Sequence, residues 1–122
     1  MVVVVILGFK VKTYPFGEKL NSNLEPIFFG AFIFKSLYPD EKAKVALLNI
    51  GSEEMKGNEI IKETYQKLNQ KHNLDFEFKG YIEGNNLMKG DVNVIVADGF
   101  TGNVALKTAE GTASFITDEL KK

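Results

Sequence analysis

The chain has no cysteine, a single histidine and almost no net charge, and each shortage closes off a class of function. Without cysteine there is no disulfide scaffold, no thiolate zinc site and no cysteine nucleophile, a composition compatible with a reducing cytoplasm. One histidine, His72, gives neither a catalytic triad nor a metal cluster. Its place beside Lys71, near the end of a helical pattern, suits it to the helix carboxyl terminus. Fifteen Lys and Arg stand against sixteen Asp and Glu, with the signs mixed locally. That balance offers no basic face for nucleic acid. The chain lacks a Walker A lysine motif and a GxGxxG turn, which disfavours a generic nucleotide-binding domain. Its most continuous apolar run, at residues 1–7, is too short to cross a bilayer and lacks the basic start and cleavage site of a signal peptide.

What is present is an alternation of buried strands and helices. Val2 to Leu7 is β-branched and continuous, as in a strand covered on both faces. The pattern then breaks around Pro15, Gly17 and Asn21–Asn23, which predicts a loop from Gly8 to Asn23. Pro26 suits a helix start, and Phe28, Phe29, Phe32, Ile33 and Leu37 recur at helical spacing up to Pro39. Phe34 lies off that stripe, so this helix is either deeply buried or meets a partner.

Val45 to Ile50 reads as a second buried strand. A helix follows from Asn58, a good N-cap, to Gln70, with Ile60, Ile61, Thr64, Tyr65 and Leu68 toward the core. Leu74 to Phe78 alternates with period two, as in a half-exposed strand near a sheet edge. Gly84–Asn86 and Lys89–Gly90 mark turns. Val92 to Ala97 is another buried strand, and a last helix runs from Gly102 to Leu120 with Leu106, Ala109, Ala113, Ile116 and Leu120 as its apolar stripe. These elements predict one α/β unit over residues 1–122, three layers deep, with a mainly parallel sheet.

Two strand-to-helix junctions hold the candidate chemistry. Asp98-Gly-Phe-Thr-Gly-Asn103 has Gly99 and Gly102 to turn the backbone, Thr101 and Asn103 to cap or donate, and Lys107 on the same helix face as Asn103. Such a junction is either a plain capped turn, the commoner case, or an anion site at a helix start. Gly51-Ser-Glu-Glu-Met-Lys-Gly57-Asn58 is a polar loop between glycines after a buried strand. Lys56 could pair a phosphate, and Asn58 could donate to an oxyanion. Glu83-Gly84-Asn85-Asn86 reads first as an exposed turn.

Lys44 to Asn58, Gly80 to Gly84, and Asp91 to Gly111, in that order and spacing, closely resemble the bacterial phosphate acyltransferases of the PlsX family. The resemblance covers residues 28–120 and is weak over 1–27. It implies an α/β/α sandwich similar to phosphotransacetylases and isocitrate-dehydrogenase-like enzymes, here incomplete. The implied reaction moves a fatty acyl group from acyl carrier protein to inorganic phosphate for phospholipid synthesis. No metal or organic cofactor and no nucleic acid are expected. The implied setting is cytoplasmic and homodimeric, with peripheral membrane contact through the acyltransferase that uses acyl phosphate.

Carried over residue by residue, the resemblance puts Lys56 and Asn58 on the thioester and oxyanion side. Asp98, Thr101, Asn103 and Lys107 fall on the phosphate side, with Asn103 catalytic and Asp98 orienting its neighbours. Gly51, Gly57, Glu83, Gly99 and Gly102 complete the substrate-contacting set. The pattern departs from the family in two places. Ile6-Leu7-Gly8-Phe9-Lys10 stands where many members have Asp-Leu-Gly-Ala-Asn, and Glu83-Gly84-Asn85-Asn86 where many have Glu-Gly-Arg-Asp. The family's Met-Gly-Gly-Asp start is absent, so the sequence reads as the central part of an enzyme. The competing expectation is a non-catalytic remnant of a broken gene that associates through an exposed Phe28–Phe34 face.

Overall fold

Alternating side chains on two parallel strands organise the molecule. The computed structural model describes residues 2–7, 10–15, 24–49, 59–71 and 73–122. The elements in chain order are β1 (Val2–Leu7), β2 (Lys10–Pro15), α1 (Glu25–Leu37), β3 (Lys44–Leu48), α2 (Glu59–Asn69), β4 (Glu77–Ile82), β5 (Val94–Ala97) and α3 (Gly99–Leu120). The five strands form one sheet in the order β2-β1-β5-β3-β4. β3 runs parallel to both β4 and β5, whereas β1 is antiparallel to β2 and to β5.

Along β3, Val45 and Leu47 face one side and Ala46 and Leu48 the other, as the period-two geometry of a strand requires. β5 repeats this, with Val94 and Val96 on the first side and Ile95 and Ala97 on the second. The first side carries Ile27, Ala31 and Phe34 of α1 with Ile61 and Leu68 of α2. The second carries Ala105 and Leu106 of α3. Two layers of helix around a sheet buried on both faces make the α/β/α sandwich, and they explain why β3 and β5 are apolar without interruption. Each fully buried Val, Leu or Ile contributes about 1.5–3 kcal/mol. Thr64 is wholly buried on α2, and its hydroxyl donates to the Ile60 carbonyl at 2.7 Å, which settles its polar group.

The structure corrects several sequence expectations. Residues 10–15, expected within a loop, form β2 and pair with the whole of β1 in register from Val2↔Pro15 to Leu7↔Lys10. The two strands are separated only by Gly8-Phe9, a hairpin spacing, and Lys10 and Lys12 suit a strand at a sheet edge. The fourth strand begins at Glu77 and runs to Ile82, rather than spanning 74–78. It is an edge strand, as its exposure pattern indicated.

An irregularity lies behind that shift. The β3–β4 register slips between Val45↔Phe78 and Leu47↔Tyr81, which leaves one extra residue on β4. Gly80 sits in this stretch with φ +81°, a conformation that glycine adopts without strain. The slip brings Phe78 and Tyr81, three positions apart, onto the same side, where Tyr65 stacks on Tyr81 with ring centres 4.4 Å apart and meets Phe78 edge-on at 5.7 Å.

The helices depart from expectation in the faces they bury. On α1 the core residues are Ile27, Ala31 and Phe34, while Phe28, Phe29, Phe32 and Leu37 are exposed. Of the stripe read from the sequence, Ile33 packs against the core while its other members face outward, and Phe34, thought to lie off the stripe, is the deepest aromatic of α1. Ile60, expected in the core, is exposed. α3 begins at Gly99 rather than Gly102; its Leu106 and Ala109 are half-buried, but Ala113, Ile116 and Leu120 are exposed. No helix among the described residues is long and apolar enough to cross a membrane.

Candidate functional site

The parallel arrangement brings the carboxyl ends of β3, β4 and β5 to one edge of the sheet, the edge at which open α/β sheets hold their ligands. A cavity of about 360 Å³ opens there. It is walled by Leu48 and Asn49 at the end of β3, by Glu83, Gly84 and Asn85 after β4, and by Phe100, Thr101, Val104 and Ala105 of α3. The backbone N–H of Asn49 donates to the Ile82 carbonyl at 2.9 Å, which ties the exits of β3 and β4 together. After Glu83 the chain turns in a single 3₁₀ turn, with Asn86 N–H donating to the Glu83 carbonyl at 3.0 Å.

Asp98 ends β5 and caps α3. Its backbone is extended, and its side-chain Oδ1 accepts from the Thr101 N–H at 2.9 Å, while its own carbonyl accepts from Gly102 N–H at 2.9 Å. A capped start explains why the helix begins three residues earlier than the glycines suggested. Gly99 and Gly102 therefore lie within the first turn of α3 rather than in a loop. Gly102 is the buried residue of that turn, and Gly99 is exposed. The cap also has an electrostatic consequence. A carboxylate already sits on the positive helix end, so an incoming anion meets a charge of its own sign there.

Of the residues singled out from sequence, Glu83 and Thr101 come together at the cavity, with Asp98 bonded directly to Thr101. Asn103 and Lys107 are exposed on α3 and are not among the described residues of the cavity wall. Gly51, Lys56, Gly57 and Asn58 lie outside the described residues, as does His72. Sequence reasoning passed over Asn49, Phe100 and Val104. Asn49 had a readable signal: it is a polar residue within the apolar run Val45 to Ile50, and it is 6% exposed. Phe100 and Val104 share helical spacing with Thr101 and Ala105, but no pattern distinguishes a cavity wall from a core stripe.

Among the described residues there is no group of three His, Cys, Asp or Glu side chains placed to hold a metal ion. Glu83 is the single charged side chain among the described residues lining the cavity. The described part of this site is therefore a mainly apolar wall on α3, with Thr101 as its polar member, facing a mainly polar rim at the strand ends.

Comparison with known proteins gives this geometry a family. Residues 28–122 match the model of the family described as "Fatty acid synthesis protein". The chain is 83% identical over 93 residues to a phosphate acyltransferase of Pelagibacter ubique, covering 76% of this chain and 28% of that protein. It is 47% identical over 92 residues to a phosphate acyltransferase of Caulobacter vibrioides, covering 75% of this chain and 25% of the relative. With the phosphate acyltransferase of Fusobacterium nucleatum it shares 46% over 108 residues, 84% of this chain and 32% of that one. The chain thus spans between a quarter and a third of the length of these relatives. All three named segments of the sequence, from Lys44, Gly80 and Asp91 onward, fall inside the matched region. The chain belongs to the fatty acid synthesis protein family, which is the family of the bacterial phosphate acyltransferases its motifs resemble.

Proposed function

We propose that this protein is an acyl carrier protein:phosphate acyltransferase, which makes acyl phosphate for phospholipid synthesis. The observation that carries the reading is the 83% identity over 93 residues to a phosphate acyltransferase, joined to a family match over residues 28–122 that includes both strand-to-helix junctions. In the reaction a phosphate oxygen attacks the thioester carbonyl carbon. The new C–O bond forms as the C–S bond breaks, and the proton of hydrogen phosphate ends on the departing carrier thiol. Catalysis of such a step rests on holding the anion against the carbonyl and stabilising the oxyanion.

In this reading Lys56 and Asn58 serve the thioester and oxyanion, and Asn103 and Lys107 serve phosphate. Asp98 acts as a positioning residue: its bond to the Thr101 N–H fixes the first turn of α3. Because the Asp98 carboxylate sits on the helix start, the positive charge that phosphate needs comes from the lysines rather than from the helix end. Glu83 stands on the polar rim at the strand ends and Thr101 on the α3 wall. The protein works in the cytoplasm as a homodimer, without metal or organic cofactor, and meets the membrane through the enzyme that consumes acyl phosphate.

The test is phosphate-dependent release of carrier thiol from a long-chain acyl carrier protein thioester, with acyl phosphate identified by mass. Turnover is expected for the protein, and a loss of at least about a hundredfold for Lys56→Ala and for Asn103→Ala. Equal rates in protein and variants would falsify the reading.

A second reading has an observation of its own. Phe28, Phe29, Phe32 and Leu37 form an exposed apolar face on α1, the kind of surface through which a non-catalytic chain associates. Absence of turnover together with a mass in solution above that of one chain would favour it.

A further inference from the structure

Two carboxylates stand at the ligand edge of the sheet, and they are placed in unlike ways. Asp98 is committed to the fold: its Oδ1 accepts the Thr101 N–H at 2.9 Å and caps α3. Glu83 holds the corresponding place after β4, at the start of the 3₁₀ turn, yet its side chain makes no capping bond. Only its backbone carbonyl serves that turn, by accepting the Asn86 N–H. Among the described residues no lysine pairs with the Glu83 carboxylate, although Glu59, Glu77 and Glu119 each hold one. Glu83 lines the cavity instead, among the neutral polar side chains of Asn49, Asn85 and Thr101.

A carboxylate at that place has the wrong sign for binding phosphate, or the acyl phosphate made from it. A charge that neither caps, pairs nor attracts the substrate is suited to moving a proton. Enzymes give unlike roles to neighbouring carboxylates held in unlike surroundings. The transfer has a proton to move, from hydrogen phosphate to the departing thiol. Asn49, Asn85 and Thr101 do not titrate near neutral pH, and Asp98 is engaged at the helix start.

We propose that Glu83 is the proton carrier of the acyl transfer. The assignment rests on the acyltransferase reading and gives a catalytic role to a residue placed above only on the cavity rim. As one phosphate oxygen bonds to the thioester carbonyl carbon, the phosphate hydroxyl passes its proton to the Glu83 carboxylate. As the C–S bond breaks, Glu83 delivers that proton to the thiolate sulfur and is a carboxylate again. Acyl phosphate and carrier thiol depart, and no further reactant is consumed.

The test compares decanoyl thioesters of acyl carrier protein and of 4-nitrothiophenol, with acyl phosphate as the measured product. The proteins are the unsubstituted chain, Glu83→Gln, Glu83→Asp and, as a control, Glu110→Gln, which is exposed on α3 outside the cavity wall. An alkyl thiolate leaves far more readily with a proton, whereas an electron-poor aryl thiolate leaves without one. Glu83→Gln is therefore expected to lower kcat about a hundredfold on the carrier thioester but less than about fivefold on the aryl thioester. Glu83→Asp keeps an acid one carbon shorter and falls between the two on the carrier thioester. Glu110→Gln leaves both rates unchanged.

A purely structural Glu83 lowers both rates by one factor, so equal losses overturn the proposal, as does no loss. Circular dichroism shows whether the variants are folded. If Glu83→Gln is not, Glu83→Asp decides: its carrier-to-aryl rate ratio drops below that of the unsubstituted chain, or the proposal falls. No turnover of either thioester by the unsubstituted chain removes the acyltransferase reading and this role with it. Turnover with equal losses removes the role alone.

Discussion

α1 and α3 are both rich in apolar residues and flank the same sheet, yet they use those residues in opposite ways. α1 buries Ile27, Ala31 and Phe34 along its length and leaves a second apolar face, Phe28, Phe29 and Phe32, outside. α3 is anchored only at its start: Gly102 is buried, Ala105, Leu106 and Ala109 are half-buried, and residues 110–122 are exposed throughout. The difference teaches that apolar periodicity reports a helix's capacity to pack. Whether it packs depends on how much sheet lies beneath it, and β5, the strand that feeds α3, has four residues. A 22-residue helix rises about 33 Å at 1.5 Å per residue, far more than such a strand spans.

The comparison can be broken most forcefully at Ile27. It is fully buried, and Ile27→Ala is expected to cost about 2–5 kcal/mol in urea unfolding, since the cavity left behind adds to the lost transfer energy. A cost below about 1 kcal/mol would mean that α1 is no better packed than the end of α3. Next in size is Asp98→Ala, which removes the side-chain acceptor of the Thr101 N–H and should cost about 1 kcal/mol. Asp98→Asn retains an acceptor and should keep most of that stability; equal losses for the two would show that the cap's charge, not its hydrogen bond, anchors the helix.

A smaller effect of opposite sign is expected at Gly111. It lies inside α3 with nothing within 4 Å of where a Cβ would stand. Gly111→Ala should therefore raise helix content or stability by about 0.5–1 kcal/mol. No gain by circular dichroism or unfolding would show that the outer half of α3 does not contribute as helix to the folded state. The smallest change belongs to Ile116→Ala, half-exposed in that same stretch, at no more than about 0.5 kcal/mol. A loss above about 1 kcal/mol would show that this part of α3 is covered in solution and would end the contrast with α1.

Much of this molecule was legible beforehand. β3 and β5 could be read from uninterrupted β-branched and aliphatic runs, and α2 from its two-sided charge pattern, because burial on both sheet faces and on one helix face leaves distinct periods. β2 was not legible. Its pairing with β1 is a long-range choice, and a Lys-rich segment with a terminal proline carries weak strand propensity of its own. The β4 shift was hidden for a related reason: the register slip at Gly80 places Phe78 and Tyr81 on one side, which breaks the alternation that a strand ordinarily shows. At the candidate site the Asp98–Asn103 junction was recognised, but its glycines were taken for a turn when the aspartate one residue earlier had already started the helix.

The sequence by itself determined the strand-helix alternation, the family and the residues at the two junctions, because each rests on local periodicity or on ordered motifs. Only the tertiary structure decided which apolar face of α1 is core and where α3 leaves the sheet. It alone set Phe100 and Val104 beside Asn49 and Glu83, side chains that chain order keeps far apart. Burial and cavity shape arise from elements meeting across the sheet, and no local pattern encodes which surfaces will meet.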